Sequence, residues 1–335
     1  MADRPTALFA MDPVHLSGLF PPRLLDRLRE LAAIDTDRCV QDFADARHRA
    51  LLADAEVLIT GWGCPRLDDL AVTALPRLRT VLHAAGSVRG LIGDAFWDRG
   101  LLVSSAAAAN ALPVAEFTFA AIVFAAKDAF GARERYRATH HHQSPAETAG
   151  LGTYGRRVGV IGASRIGRRL LELLRPLDLD LSISDPYLDA GQAAGLGARL
   201  LELDELLATC DVITLHAPDL PETRHLLDRR RLALIPDGAT FINTARGVLV
   251  DEQALTDELA SGRINAVLDV TTAEPPLPDS PLYRLPNVFL TPHIAGSLGN
   301  ELVRMGQTTL EELDRYRTGR PLIHQVRRED LARTA

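Results

Sequence analysis

Three cysteines stand in 335 residues, Cys39, Cys64 and Cys210, and they lie far apart. That excludes a disulfide framework and a cysteine metal motif, and it suits a reducing compartment. Lysine is nearly missing. Lys127 is the only one, so arginine carries almost all the positive charge. This bias implies no function by itself. An excess of positive charge is lacking too: the net charge is −7, which gives no footprint for nucleic acid or an anionic membrane. No apolar run reaches the roughly 18 residues of a membrane span. The opening MADRPTALFAMDP has no basic region followed by an apolar segment and a cleavage site. Cytoplasm is therefore the expected compartment. What is present is ordinary. Hydrophobic residues make 47% and charged residues 24%, as in a soluble globular protein, and the length suits two domains.

The chain is organised around residues 157–186, RVGVIGASRIGRRLLELLRPLDLDLSISDP. Val158 to Ile161 is a short apolar run that predicts a buried parallel strand. Gly162-Ala163-Ser164-Arg165-Ile166-Gly167 follows as a dinucleotide fingerprint. Leu170, Leu171, Leu173 and Leu174 then share a helical face. Leu179 to Ile183 predicts the next strand, closed by Asp185. In this order Gly162 makes the tight turn and Gly167 lets helix and strand pack closely. The free N–H groups of the helix start meet a pyrophosphate. Ser164 stands where the middle glycine is expected. Its Cβ pushes a pyrophosphate slightly away, while its hydroxyl offers a hydrogen bond. Asp185 lies 23 residues after Gly162, the usual distance for an acid that binds an adenine-ribose diol. Its charge repels a 2′-phosphate, and Pro186-Tyr187 supplies no arginine to offset that, so NAD is expected rather than NADP.

Residues 1–110 predict a smaller α/β unit with a mostly parallel sheet. Strands are expected at Ala7 to Met11, Val57 to Thr60, Leu78 to His83 and Leu101 to Val103. Helices are expected from Pro22, at Ala44 to Ala53 and at Leu67 to Leu75. Two loops lie beyond strand ends, where open α/β sheets bind ligands. In one, Trp62 either lines a pocket or packs. In the other, backbone N–H groups of Ala85, Gly86, Ser87 and Val88 offer a grip for a carboxylate, and Arg89 either aids an anion or faces solvent. Asn110 to Lys127 is apolar nearly all round, as in a helix buried between layers or domains. Glu116 is its exception, a buried carboxylate that needs a partner. His140, His141 and His142 invite a metal. However, adjacent side chains diverge and no acid or cysteine completes a site, so a surface loop is expected and no metal.

After Asp185 the rhythm continues. Helices are expected at Leu203 to Ala208, Thr223 to Leu234 and Asp251 to Leu259. Strands are expected at Asp211 to His216, Ala239 to Asn243, Asn265 to Val270 and Val288 to Leu290. The end of DVITLH reaches toward the cofactor before Pro218, and His216 there reads as structural rather than catalytic. Polar residues recur just past the strand ends: Arg246, Asp269, Glu274 and His293. An arginine grips a carboxylate in a bidentate fork. A histidine gives and takes a proton near neutral pH, and a nearby carboxylate favours its charged form. Each residue alone reads equally as a surface group or a satisfied core histidine. Together they suit hydride reduction of a 2-keto acid.

The stretches VGVIGASRIG, SDPY, DVITLHAP, TFINTARGVLVDEQAL, NAVLDV, EPPL and NVFLTPHIAGS resemble the NAD-dependent D-2-hydroxyacid dehydrogenases. The match is specific from Gly155 to Ser297 and looser before Gly100. The resemblance implies two Rossmann-like α/β domains with parallel sheets, the cofactor domain inserted into the substrate domain. Residues 1–110 and 298–335 would form the substrate domain. Residues 111–297 would form the NAD-binding domain, with the contact helix of a homodimer. It also implies roles. Arg246 binds substrate carboxylate and carbonyl, Glu274 supports the histidine, and His293 is the general acid/base. Ala85, Gly86, Ser87 and Val88, flanked by Trp62 and Arg89, meet the substrate. The cofactor set is Gly162, Ser164, Arg165, Ile166, Gly167 and Asp185, with His216, Pro218, Thr244, Ala245, Asp269 and Gly296 at later strand ends. Asp269 falls near the nicotinamide carboxamide.

Two departures stand out. Ser164 replaces a glycine, and Ser87-Val88-Arg89 replaces the Gly-Val-Asp of many relatives. The second admits an unusual substrate with an extra anionic group, such as a phosphonate. Formate-specific relatives pair the histidine with glutamine, so Glu274 speaks against formate. Phosphite stays open. A nucleotide-sensing corepressor of the same superfamily also stays open, although no nucleic-acid module supports it.

Overall fold

Short apolar runs alternating with helices build two parallel sheets, one in each of two compact units. The computed structural model describes residues 4–332. The outermost three residues at each end, including the first of the stretch read for a leader, lie outside the described residues.

The first unit comprises Met1–Ala111 and Ser297–Ala335. Its four strands are Ala7–Ala10 (β1), Val57–Thr60 (β2), Thr80–His83 (β3) and Leu102–Ser105 (β4), all parallel, in the order β1-β2-β3-β4. Successive residues point to opposite faces. Phe9 and Ile59 pack on Leu28 of helix Pro22–Leu31 and on Met305 and Leu313 of helix Leu302–Arg317. Leu8 and Leu58 pack on Leu52 and Phe96 on the other side. Proline opens the first helix where its missing N–H costs nothing. The C-terminal segment closes the sheet: Gln325 bridges antiparallel to Ser104, and Val326 N–H donates to the Val103 carbonyl at 2.8 Å. Buried Glu312 fixes that segment by accepting the Ile323 and His324 N–H groups at 3.0 and 3.1 Å.

The second unit is Leu112–Gly296. Its strands are Arg156–Ile161 (β5), Leu179–Ser184 (β6), Arg199–Leu200 (β7), Val212–Leu215 (β8), Thr240–Asn243 (β9), Asn265–Leu268 (β10) and Val288–Leu290 (β11). They run parallel in the order β7-β6-β5-β8-β9-β10-β11. The winding reverses between β5 and β8. Beyond the carboxyl ends of those two strands lies the crevice where doubly wound sheets bind ligands. Leu170, Leu171 and Leu174 of helix Arg165–Leu174 pack on Val158, Val160 and Ile183. The expected pair of Rossmann-like parallel sheets is borne out.

Three local expectations need correction. Thr223 to Leu234 is not one helix. The backbone of residues 225–227 instead pairs with residues 248–251, through His225 N–H to Val248 O and Leu227 N–H to Leu249 O, so only Arg229–Leu232 is helical after its Asp228 cap. Ala44 to Ala53 is likewise split, a 3-10 turn at Ala46–His48 followed by helix Arg49–Asp54. The apolar stretch forms helix Ala107–Ala126, which is long and apolar enough by composition to cross a membrane because Glu116 is its only charge. Ala115, Ile122 and Ala125 of that helix lie in the core, while Phe124 is 53% exposed. Glu116 itself is turned to solvent, so it needs no buried partner.

Candidate active site

The turn after β5 is shaped by two glycines. Gly162 has φ +98°, and an added Cβ there would lie 2.8 Å from Ala217 N. At Gly167 a Cβ would lie 2.1 Å from the Gly162 carbonyl oxygen. Both positions accept only glycine. Ser164 is different. Its backbone is extended (φ −63°, ψ 175°), and its Oγ accepts the Gly167 N–H at 3.3 Å as the helix N-cap. The residue in the middle glycine's place therefore caps the helix, a role that serine favours. Its own hydroxyl proton remains available to a ligand. Arg165 is exposed and Ile166 half-buried at the same helix start.

Asp185 directly follows β6 with both oxygens engaged. Oδ2 accepts the Ala163 N–H at 2.7 Å and Oδ1 the Tyr187 N–H at 2.8 Å. Each oxygen keeps a lone pair for a ribose hydroxyl. His216 directly follows β8, buried, with Nε2 2.9 Å from Thr214 Oγ1. Burial pushes it down to about 3, so the ring is neutral near pH 7. Pro218 accepts the Thr223 hydroxyl at 2.6 Å. These groups fit a dinucleotide: a cradle that a Cβ would fill, a helix start, and a fixed acid.

Beyond β9, Thr244 and Ala245 are buried, and Thr244 Oγ1 meets Thr118 Oγ1 at 3.0 Å. The side chain of Asn243 accepts the Ala245 N–H and donates to the Arg246 carbonyl, both at 3.0 Å. It thereby fixes the turn that presents Arg246. An added Cβ on Gly247 would lie 2.1 Å from the Thr271 carbonyl carbon, so this turn lies directly on the chain after β10.

Asp269 follows β10, buried, with three hydrogen bonds. Oδ1 accepts the Thr291 hydroxyl at 2.7 Å and the Ile294 N–H at 2.8 Å, and Oδ2 accepts the Ala295 N–H at 2.9 Å. Its carboxylate thus anchors the loop carrying His293, whose N–H donates to the Asp269 carbonyl at 3.0 Å. His293 has φ +55°, a left-handed conformation costing a non-glycine residue about 1–3 kcal/mol, held only where its surroundings enforce it. His293 Nδ1 lies 2.7 Å from Glu274 Oε2. That leaves Nε2 as the free ring nitrogen. Asp269, Glu274 and His293 line one cavity of about 1080 Å³. Arg246 stands outside its lining, on the exposed turn after β9. Gly296 closes this unit.

In the first unit, Ala85 and Val88 are buried and Gly86 and Ser87 half-buried. Among the described residues, the N–H groups from Ala85 to Val88 have no hydrogen-bond partner. An added Cβ on Gly86 would lie 3.5 Å from Asn110 Nδ2, and Asn110 Oδ1 accepts the Ser297 N–H at 2.9 Å. The Arg89 guanidinium donates to the Leu331 carbonyl, and the Trp62 ring lies 5.2 Å from that of His15. His140 and His141 are exposed, and His142 lies against Tyr136. Sequence reading missed Asn243, Thr291 and Asn110. The first two carry the visible signal of a polar residue at the end of an apolar strand.

A doubly wound sheet with a glycine cradle at its switch point, a fixed acid and a carboxylate–histidine pair defines a nicotinamide-dinucleotide-binding protein. Residues 119–295 match the NAD-binding domain of the D-isomer specific 2-hydroxyacid dehydrogenases. The D-3-phosphoglycerate dehydrogenase of Mycobacterium tuberculosis (strain ATCC 25618 / H37Rv) is 34% identical over 265 residues, covering 79% of this chain and 49% of that protein. That of Bacillus subtilis (strain 168) is 29% identical over 305 residues, covering 90% and 57%. A D-lactate dehydrogenase from Aquifex aeolicus, solved with NAD and lactic acid, is 26% identical with a TM-score of 0.72, covering 94% of this chain and 96% of that one. The chain belongs to the D-isomer specific 2-hydroxyacid dehydrogenase family, and its cofactor is NAD. It spans about half the length of the curated relatives it matches.

Proposed function

We propose that the chain interconverts a small 2-keto acid and its D-2-hydroxy acid, with NADH preferred over NADPH. The observation carrying this is the 2.7 Å pair of His293 Nδ1 and Glu274 Oε2. Bound NADH supplies the hydride. With Nδ1–H donated to Glu274, Nε2–H of the imidazolium gives its proton to the keto oxygen and takes it back in oxidation. Glu274 holds the ring's orientation. Arg246 grips the substrate carboxylate through its planar fork. The loop from Ala85 to Val88 offers N–H groups to an anion, with Trp62 and Arg89 tuning what else fits. Asp185, held by two backbone N–H groups, cannot swing away from a 2′-phosphate and so repels NADPH. The exposed aromatic residues Phe124, Tyr136 and Phe289 of the second unit support a homodimer formed through it. The test is turnover of a panel of 2-keto acids, including 3-phosphohydroxypyruvate, with NADH. No turnover, alongside tight NADH binding, would favour a sensing role instead.

A further inference from the structure

A polar contact within the second unit links its long apolar helix to the turn that carries Arg246. Ala115 and Ile122 of helix Ala107–Ala126 pack in one core with Ile242 of β9. Thr118 lies between them at helical spacing, so it shares their face. Thr244 follows Ile242 by two residues, the spacing that returns a side chain to the same side. The two hydroxyls, both buried, meet at 3.0 Å. Thr118 Oγ1 also donates to the Val114 carbonyl, one turn back, at 2.8 Å. That uses its one proton, so the Thr244 hydroxyl donates to Thr118. The backbone of Thr244 is held separately, by the Ala245 N–H on Asn243 Oδ1 at 3.0 Å. The peptide from Thr244 to Ala245 is trans, so its carbonyl points away from the Asn243 side chain. The carbonyls of Asn243, Ala245 and Arg246 each accept a hydrogen bond, from the Asp269 N–H, the Arg246 guanidinium and Asn243 Nδ2. Among the described residues, the Thr244 carbonyl accepts none. Asn243 is the register partner of Leu268 on β10, so Thr244 and Asp269 come next, side by side past two adjacent strand ends. Asp269 Oδ2 accepts the Ala295 N–H and keeps a lone pair. Two such acceptors suit the two protons of one primary amide.

We propose that Thr118 is a positioning residue of the nicotinamide subsite: by taking the Thr244 hydroxyl proton it ties residue 244 to the helix and leaves the Thr244 carbonyl to accept the carboxamide NH2 beside Asp269. This rests on the reading that Thr244 and Asp269 meet the nicotinamide carboxamide. The helix thus sets where the ring lies without touching the cofactor. Loss of the Thr118 hydroxyl acts on the nicotinamide half of the cofactor, because the glycine turn and Asp185 follow other strands, β5 and β6. Loss of general stability acts on both halves together.

The experiment is calorimetric titration with three ligands: NADH, ADP-ribose, which lacks the nicotinamide, and the reduced 3-acetylpyridine analogue, in which a methyl replaces the NH2. Thr118→Val, nearly isosteric, should raise the NADH Kd about fivefold or more and leave the ADP-ribose Kd within about twofold. Thr118→Ser keeps the hydroxyl and should return the NADH Kd to within about twofold of the natural protein; a serine that fails to do so counts against the hydrogen bond. Should Thr118→Val not fold, Thr244→Val removes the same bond from the other side and carries the test with the same expectation. The analogue tests the underlying reading in the unaltered protein, where it should bind about fivefold or more weakly than NADH. Equal affinity for the two would sink the carboxamide reading. Weaker analogue binding with an unchanged NADH Kd in Thr118→Val, or in Thr244→Val in its place, would overturn the role of Thr118 alone. Equal losses for NADH and ADP-ribose in Thr118→Val would reduce it to a structural residue.

Discussion

Gly247→Ala is a small change with a large expected effect on Arg246. The added Cβ would lie 2.1 Å from the Thr271 carbonyl carbon, 2.2 Å from its oxygen and 2.3 Å from Thr272 N, where ordinary contact begins at 3.4 Å. All three are backbone atoms of the segment that leaves β10, so none can rotate away. The turn must retreat by about 1.3 Å. Arg246 immediately precedes this glycine, and the Asn243 side chain ties the same turn at 3.0 Å, so the guanidinium moves with it. A misplacement of about 1 Å costs on the order of 10² in rate. Keto-acid kcat/KM should therefore fall about a hundredfold, with a smaller loss of NADH affinity, because the turn also carries Thr244 and Ala245 while the glycine cradle follows a different strand. Kinetics, fluorescence titration of NADH and a circular-dichroism melt read these three quantities. A folded Gly247→Ala protein with near-native kcat/KM would refute both the close approach and the placing of Arg246 in the reaction.

Further outcomes follow from other residues. Asp185→Ser should narrow the NADH-over-NADPH ratio of kcat/KM, since it removes the negative charge facing a 2′-phosphate; an unchanged ratio counts against that residue. Ser164→Gly should change the NADH Kd less than about tenfold, or about 1.4 kcal/mol, while losing a helix cap worth at most a few tenths of a kcal/mol to glycine; calorimetry measures the first and a melt the second. His83 and His216 are held neutral by burial, down to about 4 and about 3 from the ordinary 6.5. From pH 6.5 down to those values only the unfolded chain binds the protons, so stability falls as pH drops, by roughly 1.4 kcal/mol per pH unit per histidine. Urea midpoints at pH 7 and pH 5 test this, and equal midpoints would contradict it. His293→Ala should lower kcat by about 10² to 10⁴ with NADH binding kept, and Arg246→Lys should not restore the fork. Near-full turnover of His293→Ala would sink the mechanism.

The second unit was legible because its signals are local. A strand, a glycine turn, a leucine-faced helix and a terminal acid must follow one another within about thirty residues to build a nucleotide crevice, and residues 157–186 do so. The errors occur where partners are distant in sequence. Residues 225–227 show helical periodicity, yet their backbone pairs with residues 248–251. Glu116 sits in an apolar helix, and only the folded packing shows that its face turns outward. Ser164 looked like a departure because the fingerprint reads glycine there. Its extended backbone does not need glycine, and its hydroxyl does what an N-cap does.

The candidate site follows the same division. Glu274 and His293 stand out by residue type at strand ends, and the fold brings them within 2.7 Å. What holds them could not be read that way. Asp269 was expected beside the nicotinamide. Its carboxylate also takes the Thr291 hydroxyl and the Ile294 and Ala295 N–H groups, so it organises the loop that gives His293 a left-handed backbone. A hydrogen bond to a charged group contributes roughly 1.5–3 kcal/mol. Three of them exceed the roughly 1–3 kcal/mol that a left-handed non-glycine residue costs. The histidine can therefore keep a conformation that its own sequence would not choose, because an acid on the neighbouring strand outweighs the strain.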